Sequence, residues 1–166
     1  MQSKRKSEWK GLKQKSGLKA SGLKRKSLGA STKPKLKSVS QLKKLADAAH
    51  SQEVRLRDSD KNGLATCITC GVKRPWKELQ CGHFVSRRVN SLRYDEQNTN
   101  AQCYSCNVMR YGEQYAYARA LDLKYGDGTA DKLHAQRFST HSFTRDELQK
   151  IIDEAKESIN LYLTQP

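Results

Sequence analysis

No long apolar run occurs anywhere in the 166 residues. A bilayer-spanning helix needs roughly 20 such residues in a row, so no membrane partner is expected. The basic N-terminus has no apolar stretch behind it, which argues against a secretory signal. Acidic side chains are nearly absent from the first 38 residues, where 13 Lys/Arg face Glu8 alone. Hydrophobic residues reach only 36%, which is thin for a core and leaves room for an additional staple. The cysteines number five. An odd count without an export signal argues against a disulfide framework and for metal ligation in a reducing, cytoplasmic compartment.

What is abundant is positive charge. The net value is +15, and most of it belongs to residues 1–38, a low-complexity segment. A short unit recurs there as Gly11-Leu12-Lys13, Gly17-Leu18-Lys19 and Gly22-Leu23-Lys24. Glycine and charge repulsion oppose a packed core, so this segment is expected to be a disordered arm. Such an arm releases counterions from a polyanion and adds affinity without sequence information. Nucleic acid is the expected partner, with an anionic membrane surface as the weaker alternative.

From Ser40 the pattern becomes helical. Leu42, Leu45, Ala46 and Ala49 fall at helical spacing, Ser40 can cap them, and a helix is predicted over 41–57. It ends before the turn signal Asp60-Lys61-Asn62-Gly63. A strand is predicted over 78–85 and a polar loop over 86–99. A helix over 113–125 follows a break at Gly112, is stopped by Gly126, and precedes a short helix over 129–137. Thr144 and Glu147 form a capping box. Leu148, Ile151, Ile152, Ala155 and Ile159 then mark one apolar face, for packing on the core or on a second subunit. Four segments result: a tail over 1–38, an N-terminal helical segment over 39–63, a core over 64–125 and a C-terminal helical segment over 126–166.

The chemistry concentrates in the core. Cys67-Ile68-Thr69-Cys70 and Cys103-Tyr104-Ser105-Cys106 are two C-x2-C knuckles, whose spacing lets both thiolates of a pair turn onto one tetrahedral zinc ion. Gly71 permits the tight backbone beside the first pair. A site of four thiolates has no open position and is structural. Cys81 is left over and is read as a small buried hydrophobe.

Between the knuckles stand His83 and Asn98, and Asn107 directly follows the second. This constellation resembles the HNH, or ββα-metal, nucleases. The resemblance implies that His83 deprotonates water, Asn98 holds the loop, and Asn107 binds a catalytic metal. The residue types suit the task. Imidazole titrates near neutral pH, and an amide oxygen suits a hard cation such as Mg²⁺ or Mn²⁺, which acts as a Lewis acid. The expected fold is therefore α+β, a zinc-stapled ββα-metal (His-Me finger) core with flanking helices.

His83-Phe84, Leu92 to Asn98, Gln102-Cys103, Cys106-Asn107 and Tyr125-Gly126 are similar to the NinG/Rap recombination nucleases of lambdoid phages, over about residues 42–161. That resemblance implies a phage-encoded endonuclease acting in the bacterial cytoplasm on Holliday junctions and other branched DNA. Two departures from the wider HNH pattern stand out: Gly82 precedes the base, where a metal ligand is usual, and Asn107 replaces a histidine. Asp95, with Glu113 next, is the candidate for a second ligand of the catalytic metal.

Arg87, Arg88, Arg93 and Arg110 flank these positions and are expected to clamp phosphates through their guanidinium forks. Tyr104, Tyr111, Tyr115 and Tyr117 are read mainly as core, with base stacking as the alternative. His50, His134 and His141 have no visible partners. Two symmetric nicks in a junction favour a homodimer, with the helix over 41–57 or the one after Thr144 as the interface. The competing readings are a non-catalytic zinc-knuckle DNA-binding protein and a zinc-clipped adaptor. Neither gives a reason for the order of His83, Asn98 and Asn107.

Overall fold

The computed structural model describes residues 36–164, so the basic arm lies almost wholly outside the described residues. Helix α1 (Val39–Arg57) opens with a capping box on Ser38, not Ser40. The Gln41 amide donates to Ser38 Oγ at 3.3 Å, and the Ser38 amide donates to Gln41 Oε1 at 2.8 Å. The reciprocal bond needs Gln or Glu three residues after the cap. Ser38 has Gln41 there, whereas Ser40 has Lys43.

Two small antiparallel sheets follow. Strand β1 (Leu64–Thr66) pairs with β2 (Lys73–Pro75), and the first cysteine pair sits in the connection. Strand β3 (Gln80–His83) pairs with β4 (Thr99–Gln102), placing His83 opposite Thr99 and Gln80 opposite Gln102. The strand expected over 78–85 is thus shorter at both ends. Trp76–Glu78 forms a 3-10 turn instead. Beyond His83 the Phe84 amide still donates to the Asn98 carbonyl at 3.0 Å, but at Val85 the Asn98 side chain takes the place of a strand partner, its Oδ1 accepting from the Val85 amide at 2.7 Å. A side-chain acceptor satisfies that amide but cannot continue a ladder.

Every residue of β4 is buried. Helix α1 lies against β3 and β4. Helix α2 (Gln114–Tyr125) is also tied to β3, the Tyr117 hydroxyl donating to the Gly82 carbonyl at 3.1 Å. Val85, Leu92, Tyr117 and Leu121 build one core cluster with Ala130 and Leu133, the last two from α3 (Thr129–Ala135). A second cluster joins α1 to α4 (Arg145–Thr164) through Leu42, Ala46, Leu148 and Ile152. Thr144 and Glu147 cap α4 as expected, the Glu147 amide donating to Thr144 Oγ1 at 3.2 Å. Each fully buried Leu or Ile contributes about 1.5–3 kcal/mol, so this seam holds α4 against α1. Of the two expectations for the C-terminal stripe, the core or a second subunit, Leu148 and Ile152 pack within the chain on Leu42 and Ala46 of α1.

A buried ionic group locks the end of α1 to β4 and α2. Asp58 accepts from Arg57 at 3.0 Å, from the Ala101 amide at 2.7 Å and from Lys124 at 2.9 Å. Burial opposes its ionisation, but these donors, Arg57 foremost, hold its pKa below the usual carboxylate value. No helix among the described residues is long and apolar enough to cross a membrane.

Candidate metal centre and histidine cleft

The two knuckles converge because their strands do. The Ile68 amide donates to the Ala101 carbonyl at 2.9 Å, bringing the connection after β1 against β4. The Sγ atoms of Cys67, Cys70, Cys103 and Cys106 all lie within 4.8 Å of one another. Tetrahedral zinc with Zn–S near 2.3 Å sets its thiolates about 3.8 Å apart, and Cys70 and Cys103 stand at 3.8 Å. Gly71 adopts φ +71°, the left-handed turn its position was expected to need. Burial resists ionisation of Cys67, yet the Thr69 hydroxyl at 3.2 Å and nearby backbone amides bring its pKa down to about 6. The cluster is able to hold a metal ion such as zinc.

Next to this centre is a cleft of about 620 Å³. Asp47, His50, Cys81, His83, Arg87 and Asn107 are among the residues that line it. His83 Nε2 lies 3.1 Å from the Arg93 carbonyl. A carbonyl only accepts, so Nε2 carries the proton and Nδ1 keeps its lone pair. Burial pushes the His83 pKa down to about 4, against a smaller upward pull from the Arg93 carbonyl. The ring is therefore neutral at physiological pH, with an unprotonated nitrogen.

Arg93 itself is anchored. Its guanidinium donates to both oxygens of Asp47, at 2.7 and 2.5 Å, and to the Arg87 carbonyl at 2.5 Å. The Tyr94 hydroxyl adds a bond to Asp47 at 2.9 Å. Burial works against the Asp47 carboxylate, but Arg93 and Tyr94 keep its pKa below the usual value. Helix α1 thereby staples the loop whose carbonyl orients His83. Arg93, expected on phosphates, is a structural anchor with 12% of its side chain exposed.

The two asparagines are placed differently. Asn98 is wholly buried. Its amide spans the loop, donating to the Val85 carbonyl at 2.9 Å and to the Leu92 carbonyl at 2.8 Å. Asn107 lines the cleft with His83. Its Nδ2 donates to Gln80 Oε1 at 2.6 Å, which leaves Oδ1 as the free oxygen.

Gly82 is required by its neighbour. A Cβ there would sit 2.3 Å from Gln102 Oε1 and 2.9 Å from Gln102 Cβ. A larger side chain before His83 therefore has no room unless Gln102 moves.

Several expected roles are redistributed. The Asp95 carboxylate accepts from the Asn98 amide at 2.8 Å, turning the chain into β4, and does not line the cleft. Glu113 pairs with Arg110 at 3.0 Å. Arg110 also donates to Cys106 Sγ at 2.7 Å, so it faces the cysteine centre. Arg87 and Arg88 remain exposed. Of Tyr104, Tyr111, Tyr115 and Tyr117, only Tyr117 is core. Tyr104 and Tyr111 are exposed at the start of the π-turn and on the left-handed bend before α2, and Tyr115 is exposed in the first turn of α2. Cys81 is half-buried and borders the cleft, its pKa pushed up to about 12 by burial.

Asp47, His50 and Tyr94 are the site residues that sequence reasoning missed. His50 donates from Nε2 to Thr99 Oγ1 at 3.0 Å, since the Thr99 proton is spent on the Asp95 carbonyl at 2.8 Å. The available signal was that Lys43, Asp47 and His50 share one face of α1 at helical spacing.

Fold and site together define an α+β protein with a four-cysteine centre, able to hold a metal ion such as zinc, beside a histidine-bearing cleft. The chain belongs to the NinG family: the family described as Bacteriophage Lambda NinG protein matches residues 2–163. It is 27% identical over 117 residues to protein ninG of Salmonella phage P22, covering 70% of this chain and 55% of that one. Protein ninG of Escherichia phage 933W is 28% identical over 109 residues, covering 65% of this chain and 51% of the relative. Protein ninG of Escherichia phage lambda is 26% identical over 117 residues, with coverage of 70% and 54%. The chain thus spans about half the length of the curated relatives it matches. No solved structure matches it.

Proposed function

We propose that this protein is a metal-dependent endonuclease of the HNH class that hydrolyses phosphodiester bonds in branched DNA during phage recombination. The observation that carries the reading is the state of His83. Its Nε2–H is held by a main-chain carbonyl, its ring is neutral, and its cleft is shared with Asn107. That is what a general base for water requires: correct protonation, fixed orientation and access to substrate. The order β3, β4, α2 around the cysteine centre supports the ββα-metal assignment.

In this mechanism a water attacks phosphorus and gives its proton to His83 Nδ1. The P–O bond opposite the water breaks, and the departing alkoxide takes a proton from solvent. Asn107 Oδ1 would be the protein oxygen that holds a hard cation. Mg²⁺ or Mn²⁺, if held there, would supply Lewis-acid stabilisation of the negative charge that develops as the phosphodiester is cleaved. Asn98 keeps the loop closed, Asp47 holds Arg93 and through it the carbonyl on His83, and Arg87 and Arg88 engage phosphates. The four thiolates would hold zinc, whose structural role would be to keep Asn107 in register with β3. The basic arm adds affinity without sequence selection. A homodimer in the host cytoplasm fits the two symmetric nicks that junction resolution needs.

The test is cleavage of a cruciform plasmid in Mg²⁺ or Mn²⁺ by wild type and His83→Ala. Cutting is expected to fall at least about 100-fold in the variant, with DNA binding retained. Equal cutting by both proteins would remove the reading.

A further inference from the structure

One rim of the cleft is built for contact with something outside the protein. Val108, Met109, Arg110 and Tyr111 are four consecutive exposed residues directly after Asn107, and Tyr111 is 89% exposed. Large apolar side chains crowded on an exposed turn are characteristic of interaction surfaces. The turn beneath them is firmly held. The Arg110 amide donates to the Ser105 carbonyl at 2.9 Å and the Gly112 amide to the Cys106 carbonyl at 2.8 Å. The Gly112 carbonyl accepts from buried Gln102 Nε2 at 2.8 Å.

Tyr111 also has φ +54°, in the left-handed region that bulky L residues rarely enter. Its exposed ring contributes little to packing, and glycine would suit that backbone better. A strained backbone kept beneath an exposed aromatic, at the edge of the cleft it lines, calls for a ligand.

We propose that Tyr111, with Met109 and Val108 preceding it, is a wedge that stacks on an unstacked base at the branch point of DNA bound in the cleft. The proposal rests on the nuclease reading and names the substrate feature the site selects. Charge identifies the occupant as nucleic acid. Exposed Arg87 lines the same cleft, and Arg119 stands over the ring of exposed Tyr115 at 6.0 Å. Aromatic faces interleaved with guanidinium groups suit bases free of their neighbours. A branch point offers such bases, whereas continuous duplex must first be unstacked. A second copy of this chain is a poorer occupant, because a two-fold contact there would bring the same arginines face to face.

The experiment measures binding of the full chain, in the His83→Ala background, to a four-way junction and to linear duplex of the same sequence. Tyr111→Ala is expected to weaken junction binding about tenfold and duplex binding less than about twofold, with Tyr111→Trp near wild type. Tyr111→Gly should show the same junction loss while its melting temperature stays equal or rises, since the left-handed strain is relieved. Equal losses on both substrates, an unchanged junction affinity, or a change of oligomeric state on sedimentation of Tyr111→Ala each overturns the wedge. Cleavage assays of the two proteins with native His83 separate the failures. Wild type that neither binds nor cuts branched DNA removes the nuclease reading and the wedge together. Wild type that cuts junctions, matched in full by Tyr111→Ala, removes the wedge alone.

Discussion

His83 illustrates how much one side chain's environment decides. An imidazole in water titrates near pH 6.5, so at about pH 5.5 some nine-tenths of it is protonated and useless as a base. Burial lowers the value here to about 4. Cleavage is therefore expected to lose its activity on the acid side near pH 4, and to keep most of its neutral rate at about pH 5.5. A profile of kcat/KM against pH checks this; an acidic limb near 6.5 would contradict it. The same shift has a consequence for stability. Between about pH 6.5 and 4 the unfolded chain binds a proton on this ring and the folded chain does not, so this residue makes stability decline as pH falls through that window. The histidine and both asparagines stood out in the sequence through a resemblance in residue type and order, and the fold brings His83 and Asn107 to one cleft while burying Asn98. Asp47 was not, since its role depends on a guanidinium 46 residues further along the chain.

At the scale of elements, the β3–β4 hairpin is set by an exchange of volumes. Gln102 fills the space that a Cβ on residue 82 would take, and its Oε1 has no hydrogen-bond partner among the described residues. Gly82→Ala should cost about 1–3 kcal/mol, and pairing it with Gln102→Ala should cost less than the two changes summed. Urea denaturation of the four proteins in this cycle measures the coupling; strict additivity would mean that the crowding is not what requires glycine. Caps, by contrast, were readable almost to the residue, because a capping box is written within four positions. Thr144 with Glu147 was found directly. Ser38 was missed for Ser40 only because the partner at Gln41 was not used.

At the scale of the whole molecule, the described residues bury their apolar side chains in three small clusters. A chain so assembled depends on its staples. Removing metal from the four-cysteine centre is expected to unfold the segment between the knuckles, since binding to such sites is worth about 10–16 kcal/mol in isolated zinc modules. Circular dichroism and thermal melting before and after chelation, and again after zinc is restored, read this out. An unchanged melting temperature would show that the cysteines are not the staple. The α1–α4 seam should survive longer, because it is built from Leu42, Ala46, Leu148 and Ile152 without help from a metal.

By itself the sequence determined the local and the chemically unmistakable: two cysteine knuckles, a capped C-terminal helix, a histidine between the knuckles and a basic arm. These follow from residue type and short spacing, which no packing arrangement can alter. Only the tertiary structure decided which arginine anchors and which stays free, why glycine precedes His83, which tyrosines face outward, and that α1 supplies Asp47 and His50 to the cleft. Those outcomes depend on contacts between segments tens of residues apart. Such contacts are selected by competition for buried volume and for hydrogen-bond partners, and neither exists until the chain has folded.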